Sequence, residues 1–415
     1  MASKLSPCVQ ASPPAAVAVS AAVWRLPSHL SFALLAAVLF AFFFAASAPS
    51  PLFVVFQHAW GFSSSMLTVA FAIYAIALML SLLIAGSLSD HVGRRPVIVV
   101  ALVMQALAMG LFLHAQNIGG LIGARVLQGV ATGVVSGALS AAVVEAAPPA
   151  RKQLGALIGS VSPLAGLAVG ALLTGVAVRF TAFPVQWVFG VLGAVFAVGA
   201  VLVLFMPETV VPRAGAWASL VPRMSVPARA RQDFMRGIPV FVAVWALGGL
   251  YLSLGPSRVR HVFGIDNGLV NGLLIAVLGG VGAVAPTLLR RLAPPRAVAV
   301  GMAAIAAGVL LLLLALAMHS IGLFFFGTAV AGIGFGAAFS ALIQALAPMA
   351  QPHERGELFA AIFVVSYLAF SVPAMVAGFL VAPLGLLGTV EGYAAVLLAL
   401  SVTGLALQLR RRPVE

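Results

Sequence analysis

The sequence predicts an all-α integral membrane protein with 12 transmembrane helices in two pseudo-symmetric six-helix halves. Three observations carry that prediction. Of 415 residues, 63% are apolar and only 7% charged, whereas a water-facing domain carries roughly a quarter charged residues. The 22 basic and 9 acidic residues are separated by apolar runs of about 20 residues, the length that crosses hydrocarbon. A segment of the first half is also repeated in the second.

Taken in order, residues 1–27 are rich in Ala, Ser, Pro and Val and predict a disordered cytoplasmic tail. The first long apolar run begins near Leu30 and continues past Phe43, too long for the core of a signal peptide, so it reads as a retained first helix. Cutting at polar, proline and charged clusters gives spans 1 to 6 near 30–56, 64–88, 96–114, 119–145, 153–178 and 185–206. Spans 7 to 12 follow near 238–254, 268–289, 297–318, 321–348, 358–382 and 391–409. The predicted organisation is therefore a tail (1–27), a first half (28–206), a cytoplasmic linker (207–236), a second half (237–409) and a short tail (410–415). The linker is the longest hydrophilic stretch and holds Arg213, Arg223, Arg229, Arg231 and Arg236.

With the amino terminus inside, 18 of the 22 basic residues fall in inside segments and only Arg179, Arg258 and Arg260 outside, Arg125 lying within span 4. That bias predicts a multi-pass protein of the inner (cytoplasmic) membrane with both termini cytoplasmic. The duplication supports the six-plus-six division. RKQLGALIGSVSPLA from Arg151 and RGELFAAIFVVSYLA from Arg355 agree at 8 of 15 positions without a gap, at an offset of 204 residues. Two related halves facing each other form a common architecture of secondary transporters.

The formal charge of +13 is dispersed singly and in pairs, which explains topology and excludes a nucleic-acid partner. The single cysteine, Cys8 in the tail, supports neither a disulfide framework nor a thiolate metal site. Gly280, Gly282 and Ala285 mimic a dinucleotide fingerprint but follow no strand. His353 and Glu357 lack a further metal ligand. No cofactor, metal or catalytic residue is expected. All seven histidines fall at span ends or in loops, so an integral-membrane enzyme or an inert scaffold is a distant alternative.

The strongest local pattern is Gly86, Leu88, Asp90, Gly93, Arg94 and Arg95, followed by Pro96, in the turn between spans 2 and 3. It resembles the G-x-L-x-D-x-x-G-R-[RK] signature of the major facilitator superfamily, and the resemblance in span number, half-repeat and loop placement covers residues 30–409. The resemblance implies a conformational latch, in which Asp90 lies against the amino end of span 11 and Arg94 pairs with an acid at the cytoplasmic end of span 4, where Glu145 is the acid available. The second half has Arg290, Arg291 and Arg296 at the corresponding turn but no acid or matching glycines, so the latch is expected to be one-sided.

Arg125, Gln128 and Gly129 in span 4 resemble the family's R-x-x-q-G segment. A charge at the centre of a transmembrane helix costs at least ~2.5 kcal/mol, so Arg125 must face a polar interior. Gln128 at i+3 and Gly129 at i+4 share its face. Arg125 is expected to orient an anionic or carbonyl-bearing substrate or, as the resemblance implies, to take part in proton coupling; the alternative is an arginine satisfied by backbone carbonyls or snorkelling outward. In span 5, Gly159, Pro163, Gly166 and Gly170 loosely resemble the Gly-Pro-rich segment of the drug/proton antiporter branches, and equally suit close helix packing. Span-interior polar residues complete the candidates for substrate contact: Gln57, Gln105, Ser136, Ser162, Trp245, Tyr251 and Gln344 are among them, and Tyr74, Asn271 and Tyr367 with Arg125 and Gln128 are preferred. The expected function is a monomeric secondary active transporter working by alternating access, with proton-coupled efflux of a small, moderately hydrophobic molecule as the leading mode. A sugar or organic-acid carrier or facilitator is the alternative. All nine acids fall in loops, tails or near helix ends, which argues against simple carboxylate coupling.

Overall fold

The computed structural model describes residues 26–148, 152–210, 212–255, 259, 262–265, 267–351 and 353–410. Most of the predicted tails, Cys8, Arg151, Arg258 and Arg260 lie outside them. The described residues contain helices and connections and no strand. Among the described residues, eleven helices are long and apolar enough to cross a membrane. The longest, Arg355–Leu409, carries non-helical backbone at Gly385 (φ 73°, ψ 167°) two residues after Pro383, so it supplies two spans and the total is twelve.

Span 1 comprises Ser28–Ser47 and Pro49–Trp60, bent where Pro49 and Pro51 enter. Spans 2 to 6 are Ser64–Ala85, Arg94–His114, Ile118–Ala146, Lys152–Phe180 and Pro184–Leu204. Spans 7 to 10 are Ala228–Ser253, Gly268–Leu288, Pro294–Ala317 and Ile321–Leu346. Span 7 starts at Ala228 rather than residue 238, so the last turns of the predicted linker are helical. A helix in a bilayer satisfies its own backbone groups, and its open first turn still needs acceptors. Ser63, Asn117, Asn267 and Ser320 supply them by accepting from the backbone N–H of Met66, Gly120, Leu269 and Leu323 at 2.9–3.4 Å. These caps open spans 2, 4, 8 and 10, all at the end of the bundle opposite the termini, hereafter the distal face. Lipid-facing positions such as Leu80, Val100, Leu107, Val198, Leu310 and Phe379 are exposed and apolar.

Packing repeats with a period of six spans. In the first half span 1 packs on span 5, span 2 on span 4, and span 3 on spans 4 and 6; in the second, span 7 packs on the 11–12 helix, span 8 on span 10, and span 9 on span 10 and the 11–12 helix. The two seams between halves also exchange under that rule, since span 5 meets span 8 and span 2 meets the 11–12 helix. This contact pattern is the pseudo-two-fold relation that the duplicated segment predicted.

Candidate functional site

Span 4 approaches span 2 through a stripe of glycines. A Cβ on Gly129 would meet the Tyr74 carbonyl and Ala77, one on Gly133 would meet Ser81, and one on Gly137 would lie 2.8 Å from the Gly86 carbonyl. Small residues every four positions bring helix backbones together, and here they bring Arg125 within reach of main-chain oxygens.

Arg125 is 1% exposed. Its Nε donates to the Ala70 carbonyl (3.3 Å), one terminal nitrogen to the Ala46 carbonyl (3.3 Å) and Gln128 Oε1 (2.7 Å), and the other to the Phe71 carbonyl (3.4 Å). Gln128 Nε2 donates to the Ala45 carbonyl at 2.8 Å. The guanidinium lies 4.4 Å over the Tyr74 ring and 5.7 Å from that of Phe53. Helix carbonyls have a second lone pair, so this fork ties span 4 to spans 1 and 2 without breaking their ladders. Arg125 is satisfied by backbone carbonyls and Gln128 rather than snorkelling outward, and both side chains are buried between helices. No carboxylate contacts the guanidinium among the described residues. The counterpart in span 10 is neutral: Thr328 Oγ1 lies 3.0 Å from the Tyr251 hydroxyl of span 7.

Tyr74 and Tyr367 face each other across the seam between spans 2 and 11, 6% and 8% exposed, in a cluster with Ala46, Leu78, Met79, Trp245, Phe363 and Phe370. The Trp245 ring sits 5.0 Å from Tyr367, 5.5 Å from Phe339 and 5.8 Å from Phe370, and Phe370 continues to Phe71 at 4.9 Å. Trp245, a candidate in the sequence but not a preferred one, is the hub of this cluster. Asn271 lies elsewhere, on span 8 beside Gly272, whose Cβ would strike the Ala171 carbonyl of span 5. The structure therefore separates Asn271 from the Tyr74 and Tyr367 cluster.

The seam is asymmetric along the bundle axis. At the distal face Gly175, Gly268 and Gly272 put spans 5 and 8 in backbone contact, and a Cβ on Gly378 would run into Thr68 of span 2. Following the same face of span 5 toward the end that carries the termini, Gly175, Ala171 and Ala168 are buried, Leu164 is partly buried, and Ser160, Leu157 and Gln153 are exposed. Arg355 and Gly356 at the start of span 11 are exposed as well. The halves thus touch at one end and part at the other.

The turn between spans 2 and 3 sits at the parted end. Arg94 pairs with Asp90 at 2.6 Å and Glu145 at 3.2 Å and donates to Ser89 Oγ at 2.6 Å. Asp90, 54% exposed in its side chain, directs its carboxylate to Arg94 one helical turn away rather than to the amino end of span 11. The sequence reading gave Glu208 no part in this cluster, seeing the segment Met206 to Thr209 only as a helix ending. Its carboxylate accepts from the backbone N–H of Arg94 (2.9 Å) and Arg95 (3.0 Å), the anion that the open amino end of span 3 attracts. Arg95 in turn donates to the carbonyls of Leu204 and Met206, and Thr209 Oγ1 donates to Glu145 at 2.8 Å. Gly93 has φ 103°, and a Cβ there would lie 2.6 Å from Glu208 Oε2. The available signal was an acid directly after Pro207 in a basic segment. These contacts join spans 3, 4 and 6 within the first half; they are not contacts across the seam. In span 5, a Cβ on Gly166 or Gly170 would meet span 1 backbone, Pro163 lies inside the helix, and a Cβ on Gly159 would meet nothing within 4 Å, so Gly159 is no point of close approach.

Two six-helix halves related by pseudo-symmetry, touching at one end and lined with aromatic residues at the seam, define the membrane-carrier class of fold. The chain belongs to the Major Facilitator Superfamily, whose family model matches residues 35–374. Similar solved structures are the human organic anion transporter MFSD10 (TM-score 0.66, 17% identity, 92% of this chain and 100% of that one) and a peptide transporter, POT, with sulfate (0.72, 14%, 93% and 99%). The nucleoside transporter NupG is similar too (0.68, 12%, 92% and 100%). No curated protein matches. At these identities the likeness shows the fold alone; the family match makes the chain a multi-pass membrane protein of the Major Facilitator type.

Proposed function

We propose that this chain is a monomeric secondary active transporter of the inner (cytoplasmic) membrane that exports a moderately hydrophobic small molecule in exchange for protons by alternating access. The observation that carries this reading is the one-sided seam. Backbone-close contact at Gly175, Gly268 and Gly272 against exposed Leu157 and Ser160 on the same helix face is what one end state of two rocking bodies looks like. The basic bias puts the parted end in the cytoplasm. Residues 28–206 and 237–409 move as units about the linker 207–236. Tyr74 and Tyr367 then lie where cargo meets both halves, Arg125 and Gln128 brace the wall behind Tyr74, and Asn271 belongs to the distal closure. The Asp90, Arg94, Arg95 and Glu145 cluster, extended by Glu208, stiffens the cytoplasmic rim of the first half. Similar structures carry organic anions, nucleosides and peptides, so cargo must come from this chain's own residues. Proton exchange draws support from the antiporter-like span 5.

Purified protein in liposomes, loaded with a substrate panel and assayed with and without an imposed pH gradient, tests the proposal. Efflux accelerated by an inward proton gradient is expected. Flux that ignores the gradient would remove the coupling and leave a facilitator; no flux of any compound would remove the carrier reading.

A further inference from the structure

Trp245 holds an unusual position in the aromatic cluster. Part of its ring is accessible, yet Nε1 is buried with no hydrogen-bond acceptor in reach. Indole N–H is a donor only, and a buried donor without an acceptor is costly to keep. Tyr367 is 8% exposed as a residue, and its hydroxyl forms no hydrogen bond within the protein among the described residues. Phe339, Tyr367 and Phe370 stand edge-on to the indole at 65–81°, and Phe363 lies nearly parallel to Tyr367 at 27°. The cluster is thus an aromatic box whose rings already touch one another at 5.0–5.8 Å, holding one buried indole N–H without an acceptor and one tyrosine hydroxyl that makes no hydrogen bond within the protein.

Its electrostatics are one-sided. Behind Tyr74 the Arg125 guanidinium sits 4.4 Å from the ring and no carboxylate contacts it among the described residues. A buried charge is weakly screened, so the box lies in positive potential. Aromatic boxes commonly hold cations, but idle donors and a cationic wall are the opposite complement. We infer that Trp245 and Tyr367 are the cargo-contacting donors of a site between spans 2, 7, 10 and 11, and that the cargo is a planar aromatic carboxylate. Its ring packs among Trp245, Phe339, Phe363 and Phe370 while its anionic oxygens accept from Trp245 Nε1 and the Tyr367 hydroxyl. The inference rests on the carrier reading and narrows its substrate.

Calorimetric binding to the full chain in lipid nanodiscs tests it with three probes sharing one ring system: 2-naphthoate, 2-naphthylmethanol and 2-naphthylmethylammonium. Naphthoate is expected to bind tightest. Trp245→Phe and Tyr367→Phe keep the ring and delete the donor, and each is expected to weaken naphthoate binding about tenfold or more, the scale of a hydrogen bond to a charged group. Neutral naphthylmethanol should lose less. Unchanged melting temperatures in both variants would exclude misfolding as the cause. Tighter binding of the ammonium probe, no naphthoate binding at millimolar concentration, or naphthoate binding unaltered in both variants would each overturn the inference. If the wild type binds naphthoate but moves no panel compound across liposomes, the carrier reading fails while the site stands. If it transports other compounds without binding naphthoate, the reverse holds.

Discussion

Replacing Arg125 by lysine separates a brace from a cargo ligand. The guanidinium makes four hydrogen bonds, to Ala46, Ala70, Phe71 and Gln128, and lies over the Tyr74 ring at 4.4 Å. An ammonium is a compact point donor without the planar fork; at the end of a lysine it can keep the short bond to Gln128 and one carbonyl. Two bonds and the stacked face are lost. Hydrogen bonds to charged groups contribute ~1.5–3 kcal/mol each; the two forfeited here are long, so the expected loss is ~3 kcal/mol. For a unit the size of one half, ~2–4 °C per kcal/mol translates this into a fall of roughly 10 °C in melting temperature. Arg125→Met removes all four bonds but also the cost of burying a charge, so it should be less destabilising than lysine, because apolar replacements of buried ions are often neutral. The assay is a thermal melt of the solubilised protein beside liposome flux. If Arg125→Lys melts within a degree or two of the wild type while raising only the KM for transport, the guanidinium contacts cargo and the brace argument is wrong.

Gly272→Leu places a side chain against the Ala171 carbonyl; it should wedge the distal seam, slow transport and raise labelling of a reporter cysteine at residue 171 from the distal side, whereas unchanged labelling would deny that seam its sealing role. Glu208→Ala should cost ~1–2 kcal/mol, the range of a lost amino-terminal cap, read as a lower melting temperature and checked by partial recovery in Glu208→Asp. Glu354, which accepts from the Gln351 backbone N–H and pairs with Arg229, has its pKa lowered, first by that backbone bond and next by Arg229. A carboxylate with a depressed folded pKa stabilises the fold above its unfolded value and loses that contribution as pH falls through the folded one. Melting curves from pH 7 down to 3 should therefore drop less steeply for Glu354→Gln, and parallel curves would refute the linkage.

What could be read without coordinates follows the physics of the solvent. Hydrocarbon demands apolar lengths, so twelve spans and their approximate ends were visible, including the break near Gly385. It penalises buried charge, so Arg125 stood out. Its partners did not, because backbone carbonyls carry no sequence identity and any helix could have offered them. Glu208 escaped for the opposite reason: a lone acid beside a proline looks like an ordinary helix stop until the chain folds it onto the first turn of span 3. Trp245 was one of several span-interior polar residues, and only the convergence of spans 7, 10 and 11 makes it a hub. The start of span 7 was misjudged because its first turns, around Arg229, Arg231 and Arg236, are basic and helical at once.

The halves match in packing but not in charge. Where the first half holds the Arg125 cation, the second holds a neutral Tyr251 and Thr328 pair. An energised membrane exerts ~2.3 kcal/mol per elementary charge per 100 mV across its full thickness. A swing that carries Arg125 through a tenth of that depth therefore responds by ~0.2 kcal/mol, while the opposite bundle, neutral at that level, does not respond. Membrane voltage would thus pull on a single arm of the machine and tilt the occupancy of its two end positions, even when the cargo itself is electrically silent.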